Sequence, residues 1–389
     1  MSRILILGSG AWGTAIALSL HRRGGHQLTL WAHSPEFAQE ILAARENTLF
    51  LPGFPIPAPI AITGDCASVS DAEIVVSVVP SEFLRLTLSR IRPHLHSGQI
   101  ILSATKGVEN RTFLRMTEVI ASTLAETAPN HSTTSKPALS AVEQVPKSAQ
   151  TLAETALYQG TTSVVPNPPQ KEAGALAPEA SFSPLPIGAL SGPSFALEVA
   201  QAQPTALTVA FADPAIAARI QHEFSSATLR LYTSTDLIGV ELGGALKNVI
   251  AIAAGVAAGS GLGHNSTAAL ITRGIAEITR LAVACGARRE TLAGLSGLGD
   301  LVLTCTGSLS RNRTVGEALG RGRNLQEVLE SLGGKVAEGV LTTRAALGLA
   351  RRHNIEMPIT EQMELILNEG KDPRKAISEL MLRPGKHEH

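Results

Sequence analysis

Cysteine is scarce in this chain of 389 residues. Cys66, Cys285 and Cys305 lie far apart, and no two form a C-x-x-C pair. An odd number spaced in this way argues against a disulfide framework and suits a reducing compartment, so a cytoplasmic location is expected. Charge of one sign is missing too, with 33 basic residues against 33 acidic ones. That balance gives no electrostatic reason to bind nucleic acid or an anionic membrane. No run of about 20 apolar residues escapes a glycine break or a charge, so no membrane span is expected. The eleven histidines form no metal-ligating pattern. His94 and His96 come closest, and they read as surface residues of a polar loop. What remains is a globular chain long enough for two or three domains.

The N-terminal stretch RILILGSGAWGTAIALSL, residues 3–20, carries no charge after Arg3. A basic start followed by an apolar run is the outline of a signal peptide. It is also the outline of a strand, a glycine turn and a helix. The glycines favour the second reading. Gly8, Gly10 and Gly13 fit G-x-G-x-x-G directly after the apolar Ile4–Leu7. The first allows a tight turn, the second lets the backbone approach a pyrophosphate, and the third lets the helix lie close to the strand. The helix N-terminus then offers N–H groups to phosphate. A second apolar strand, Leu28–Trp31, completes a βαβ unit of the expected length, about 30 residues. A cleavage site followed by an unrelated mature chain is not what comes next.

Further strands are expected at the β-branched runs Ile74–Val79, ending at Pro80, and Ile100–Leu102, and the sheet pattern resumes at Ile187–Leu190 and Ala206–Phe211. Such near-continuous apolar runs mark strands buried on both faces of a parallel sheet. Amphipathic helical patterns fall near 35–46, 81–91 and 112–126. Residues 128–186 differ, with nine Pro and thirteen Ser or Thr among them. Such a segment buries too little apolar surface to offset the entropy of ordering it, and it reads as a disordered insertion. From about Thr235 to about Leu382 only helical patterns occur. The expected architecture is α/β: an N-terminal Rossmann-like domain with a parallel-rich sheet over residues 1–233, interrupted by 128–186, then an all-helical domain over 234–382 and a flexible tail over 383–389. Ligands in such sheets bind outside the carboxyl ends of the strands, and a second domain commonly closes that crevice.

Residues 242–263 contain one charge, Lys247. A lysine among glycine, alanine and isoleucine is either a snorkelling side chain or a desolvated one. Desolvation lowers its pKa towards neutrality and suits it to shuttle a proton. Asp300 is a second lone charge, in the glycine-rich LSGLGDL; it is either a helix N-cap or a functional carboxylate. Ser310, Arg311 and Asn312 precede a helical pattern and offer hydroxyl, guanidinium and amide to a phosphate, or else form a capped, solvated turn. Lys106 follows a strand at the carboxyl edge of the sheet, as an anion ligand or a loop lysine. Ser194 lies on a strand-to-helix turn after Gly192-Pro193, as a ligand donor or an N-cap. Glu338 by default is a surface charge.

The stretches GSGAWGTA, LWAHSPE, NTLFLPG, ATKGVE, LSGPSFALEV, ELGGALKNVIAIAAG, LSGLGDL, SRNR and KVAEG occur in this order. Together they resemble the bacterial NAD(P)-dependent glycerol-3-phosphate dehydrogenase family over nearly the whole chain except 128–186. The resemblance implies reversible hydride transfer between sn-glycerol 3-phosphate and NAD or NADP. In cells it implies reduction of dihydroxyacetone phosphate, which supplies the backbone of phospholipids. It implies Lys247 as proton acceptor, and Lys106, Gly192, Ser194, Asp300, Ser310, Arg311 and Asn312 as substrate positions. It further implies Ala11, Trp12, His33, Phe50, Ala196, Val336 and Glu338 as cofactor positions, with Lys106 and Arg311 near both ligands, and it allows a homodimer. No acid follows the second strand until Glu36, so NADP is expected to be accepted, with His33 near the 2′-phosphate. Most members of the family would join the helix before residue 128 to the strand after 186 by a short link. The alternatives are a related dehydrogenase acting on a β-hydroxyacid, for which the SRNR stretch would matter less, and a cofactor-sensing protein without turnover, against which Lys247 argues.

Overall fold

A computed structural model describes residues 1–126, 185–331, 337–385 and 387. Most of the expected insertion lies outside the described residues, as does Val336.

The first part is a sheet layered between helices. Its strands are β1 (Ser2–Leu7), β2 (His26–Trp31), β5 (Ala61–Thr63), β6 (Ile74–Ser77), β7 (Ile100–Ser103), β8 (Ile187–Ser191), β9 (Thr205–Phe211) and β10 (Leu229–Ser234). They lie in the order β10-β9-β8-β7-β6-β1-β2-β5. All neighbours are parallel except β8 and β9. A small antiparallel hairpin, β3 (Glu46–Asn47) and β4 (Leu51–Pro55), stands apart from the sheet. The helices are α1 (Ala11–Arg23), α2 (Pro35–Ala44), α3 (Ser81–Ile91), α4 (Met116–Ala125), α5 (Ala196–Ala200) and α6 (Pro214–Phe224).

The period of two along each strand decides what each residue packs against. In β1, Ile4 and Ile6 share a core with Ala15, Ile16 and Leu20 of α1. Leu5 and Leu7 join Leu84 and Leu88 of α3 and Val119 and Ile120 of α4 on the other face. Leu185 packs in that second core, so the chain re-enters the described structure beside α4. The sequence pattern missed β3, β4, β5 and β10. Three of these are only two to five residues long. In β10, Leu229 and Leu231 are buried while Arg230 and Tyr232 are exposed, an edge strand without the continuous apolar run that marked the others.

After β10 the described chain is helical: α7 (Leu237–Gly259), α8 (His264–Ala284), α9 (Arg289–Leu292), a wide turn at Leu295–Gly299, α10 (Asp300–Thr306), α11 (Arg311–Gly320), α12 (Leu325–Ser331), α13 (Glu338–Arg352), α14 (Pro358–Glu369) and α15 (Pro373–Met381). The centre is α7. By length and composition it could cross a membrane, yet every residue from Gly239 to Ala257 is buried inside the protein. Asp236 caps it, accepting from Gly239 N at 2.9 Å. Helix α11 packs against α7 almost backbone to backbone. A Cβ at Gly255 would lie 2.0 Å from the Arg313 carbonyl oxygen, and one at Gly259 2.1 Å from that of Glu317. From the other side, a Cβ at Gly316 would lie 1.9 Å from the Ile252 carbonyl oxygen, and one at Gly320 2.3 Å from that of Val256. Four glycines at a spacing of four thus set the distance between the two helices.

The buried Glu241 fastens α7 to α4. It accepts from Thr117 N at 2.8 Å and Thr117 Oγ1 at 2.7 Å, and it pairs with Arg115. A carboxylate at the N-terminus of α4 is favoured by the free N–H groups there.

Candidate active site

The carboxyl ends of β1, β2, β6, β7 and β8 open on one edge of the sheet. The strand order reverses between β1 and β6, and ligands of open α/β sheets bind at such a crevice. The turn after β1 is built for close approach. Gly8 has φ +124°, and a Cβ there would lie 3.0 Å from the Val78 carbonyl oxygen at the end of β6. A Cβ at Gly13 would lie 1.9 Å from the carbonyl oxygen of Gly8 itself, so α1 rests directly on its own turn. Gly10 is the opposite case: a Cβ there would meet nothing within 4 Å. Gly10 is the N-cap of α1 and has no capping side chain. No side chain caps the first N–H groups of the helix, at Ala11 and Trp12. An uncapped helix start beside a side-chain-free position fits the pyrophosphate of a dinucleotide. His33, exposed just after β2, lies 6.0 Å from Phe37 between ring centroids, and Phe37 meets Phe50 edge-on at 5.7 Å. Ala196 opens α5 at the same edge.

Beside this cradle stands a cluster of charged side chains drawn from three segments. Lys247 on α7 is 7 % exposed. Its Nζ donates to Asp300 Oδ1 and, at 2.8 Å, to Thr304 Oγ1. Asp300 is 0 % exposed, and its other oxygen accepts from Lys106 Nζ at 2.7 Å. Lys106 Nζ also donates to the Gly192 carbonyl oxygen at 3.1 Å. One carboxylate therefore bridges two ammonium groups. Gly299, not Asp300, is the N-cap of α10; the carboxylate serves the lysines.

Small residues make the cluster possible. A Cβ at Gly243 would lie 2.6 Å from the Ser296 carbonyl oxygen, and one at Gly244 2.3 Å from Ser191 Oγ. The Gly243-Gly244 pair lets the turn before Asp300 and the end of β8 close on α7 one turn ahead of Lys247. Burial pushes the Lys247 ammonium down to about 8, although Asp300 pulls the other way. Glu338, the first residue of α13, is not a solvated surface charge. Burial raises its carboxyl above the usual range, while Arg311, Lys106 and Lys247 oppose that rise. Asn248 Nδ2 donates to it at 3.4 Å.

The remaining positions divide by what their side chains already do. Ser310 is the N-cap of α11, accepting from Arg313 N at 3.2 Å. Asn312 Oδ1 accepts from Gly339 N at 3.0 Å, which orients the amide and leaves its NH2 group to donate to a ligand. Arg311 is exposed at the start of α11. Ser194 caps no helix, since Phe195 holds that place; its hydroxyl donates to the Gly192 carbonyl oxygen at 3.1 Å. Thr304 escaped the sequence reading. Its only signal is a spacing of four from Asp300, which puts both on one face of α10. Thr304 Oγ1 donates to the Asp300 carbonyl oxygen at 2.6 Å and accepts from Lys247.

Residues 3–143 and 175–217 match the profile of the NAD-dependent glycerol-3-phosphate dehydrogenase N-terminus, and residues 236–378 that of the C-terminus. A curated glycerol-3-phosphate dehydrogenase [NAD(P)+] of Koribacter versatilis is 51 % identical over 385 residues, covering 99 % of this chain and 98 % of its own. One from Acidobacterium capsulatum is 51 % identical over 392 residues, covering 100 % of both. These relatives are of comparable length, so a short link between α4 and β8 does not set them apart from this chain. Among solved structures, the glycerol-3-phosphate dehydrogenase of Coxiella burnetii superposes with a TM-score of 0.80 at 34 % identity, covering 98 % of this chain and 99 % of that one. With both profiles matched, the second of them across the helix that carries Lys247, the chain belongs to the NAD-dependent glycerol-3-phosphate dehydrogenase family.

Proposed function

We propose that the chain interconverts sn-glycerol 3-phosphate and dihydroxyacetone phosphate with NAD or NADP, in cells mainly by reducing the ketone for glycerophospholipid synthesis. The observation that carries this reading is the Lys247–Asp300–Lys106 bridge beside the glycine turn. It sets a desolvated proton carrier next to a dinucleotide cradle. In this reading residues 1–233 bind the dinucleotide and 234–382 supply the substrate site.

A bound nicotinamide would supply the redox chemistry, hydride transfer at C2 of the substrate. The protein supplies the proton and the geometry. During oxidation, neutral Lys247 accepts the proton of the C2 hydroxyl; during reduction, its ammonium returns a proton to the carbonyl oxygen. A pKa of about 8 leaves both forms accessible near neutrality, which favours acid–base catalysis. Asp300 and Thr304 orient the lysine. Lys106, tied to the Gly192 carbonyl, carries positive charge towards the substrate edge of β7 and β8. Arg311 and the N-terminus of α11 suit the substrate phosphate: a guanidinium and uncompensated N–H groups meet there. Ser310 supports that turn as its cap, with Asn312 NH2, Ser194 and Gly192 as neighbouring donors and acceptors. Gly8, Gly10, Ala11, Trp12 and Gly13 would hold the pyrophosphate. His33 and Phe50 would lie towards the adenosine end, and Ala196 and Glu338 towards the nicotinamide.

A homodimer rests on the family alone, and equilibrium sedimentation tests it. A cytoplasmic location is supported by three free cysteines, none paired with another. The activity itself is tested by NADPH oxidation on adding dihydroxyacetone phosphate, followed at 340 nm. Turnover with a β-hydroxyacid and none with the triose phosphate would overturn the reading, as would tight NADPH binding with no turnover on either.

A further inference from the structure

One buried side chain in the dinucleotide cradle is explained by neither the glycine pattern nor the lysine cluster. Asn47 ends β3 and is 0 % exposed. Its carboxamide is used at both ends. Nδ2 donates to the Ser9 carbonyl oxygen at 2.7 Å and to Thr14 Oγ1 at 2.8 Å. Oδ1 accepts from Phe50 N at 3.1 Å. Ser9 lies between the two glycines of the turn, and Thr14 lies in the first turn of α1. Phe50 lies in the β3–β4 hairpin connection and packs edge-on against Phe37, whose ring faces His33.

Three segments distant in sequence thus meet on one amide. The requirement is chemical. The position needs a donor with two N–H bonds and an acceptor on a short stem. Aspartate would keep the bond from Phe50 N but would set a charge against the Ser9 carbonyl. Alanine would leave a buried backbone carbonyl without its donor, which is costly.

We propose that Asn47 is a positioning residue for dinucleotide binding, fixing the spacing between the Gly8–Gly13 turn and the Phe37–Phe50 pair so that both halves of the cofactor meet a preformed site. The inference rests on the dinucleotide reading of that turn. Its physical content is the gain from linkage: two halves of one ligand reinforce each other only when their subsites are held at the right separation.

The test uses the full chain and direct binding, independent of turnover. NADPH is titrated by fluorescence into wild type, Asn47→Asp and Thr14→Val, and adenosine 2′,5′-bisphosphate and nicotinamide mononucleotide are titrated separately. The Asn47→Asp variant should raise the Kd for NADPH about tenfold or more, as expected for losing the bond to the Ser9 carbonyl and setting a carboxylate against it, while the Thr14 hydroxyl can turn to donate. The Kd for each fragment should change by less than about threefold, because each subsite survives while their spacing does not. At saturating NADPH, kcat and the KM for dihydroxyacetone phosphate should stay within about twofold. Thr14→Val should shift NADPH binding in the same direction by a smaller factor, and it carries the test if Asn47→Asp does not fold. An unchanged Kd for NADPH with a lowered Tm would overturn the proposal and leave Asn47 a purely structural residue. Equal loss for a fragment and for NADPH would also overturn it, since spacing would not be what was lost. Wild type that bound no dinucleotide would instead remove the cofactor reading on which the proposal stands.

Discussion

The glycine turn and the lysine cluster lie at the carboxyl ends of nearby strands of one sheet and are built on opposite plans. The turn uses backbone: Gly8, Gly10 and Gly13 lie within six residues, and what matters at each is the absence of a side chain. The cluster uses side chains from the loop after β7, from α7 and from α10, joined through one carboxylate. A backbone site is local, so one short stretch of sequence announces it. A side-chain site is assembled by packing, and each member looks ordinary where it stands. At Gly8 and Gly13 the first kind tolerates no added atom. The second tolerates no added distance.

The largest effect expected from this contrast is in the cluster. Lys247→Met should leave the fold and dinucleotide affinity largely intact and lower kcat by about 10²-fold or more, the usual range for a general acid–base group. Near-normal turnover in a folded variant would remove Lys247 as the proton carrier. Next is the spacing that seats it. Gly244→Ala places a Cβ 2.3 Å from Ser191 Oγ, and a small displacement of the lysine should cost roughly ten- to a hundredfold in kcat. Ser191 Oγ is buried with no hydrogen-bond partner among the described residues, and Ser191 Cβ lies at an ordinary 3.4 Å from the same point. Adding Ser191→Ala should therefore restore most of the loss, and a double variant as slow as the single one would show that this contact does not set the lysine.

The turn provides the counterpart. Gly13→Ala drives a Cβ into the Gly8 carbonyl and should weaken NADPH binding about tenfold while leaving kcat at saturation nearly unchanged, a split opposite to that of Lys247→Met. Loss of kcat with intact affinity would erase the distinction between the two plans. The smallest effect is in pH dependence. Lys247 must be neutral to accept a proton, so the oxidation rate should rise with pH to a plateau above about 8. The reduction rate, which needs the ammonium, should fall as pH rises through the same value. Asp300 raises the lysine pKa, so Asp300→Asn should move both limbs to lower pH. Rate profiles in the two directions measure this, and limbs that stay in place would separate the carboxylate from the titration.

How much of this was legible beforehand follows from the same contrast. The strands β1, β2, β6, β7, β8 and β9 are marked by apolar runs, and the first glycine turn by its spacing. Lys247 stood out because a charge in an apolar helix is costly. Thr304 and Asn47 did not stand out, because a threonine in a helix and an asparagine before a turn are unremarkable until their partners arrive from elsewhere. The partners of Asp300 were hidden for the same reason. Nothing near residue 300 says that lysines at 106 and 247 will meet there; that follows from Gly243 and Gly244 admitting the turn at Ser296 and the end of β8. Residue 338 misled by its surroundings in sequence, since its neighbours in space are Lys106, Lys247 and Arg311.

The paired glycines of α7 and α11 have a mechanical consequence. Where two helices touch through long side chains, rotamer changes can absorb small sliding motions. Between Gly255, Gly259, Gly316 and Gly320 the contact is backbone on backbone, and there is nothing soft to yield. Sliding by a fraction of a turn would drive carbonyl oxygens into the facing backbone, and the next register that fits lies a full helical turn away, about 5.4 Å. The two helices therefore behave as one rigid bar. Lys247 rides on one side of it and Arg311 on the other. Any displacement of one helix therefore carries the other, and the separation of Lys247 and Arg311 is held by backbone contact rather than by side chains.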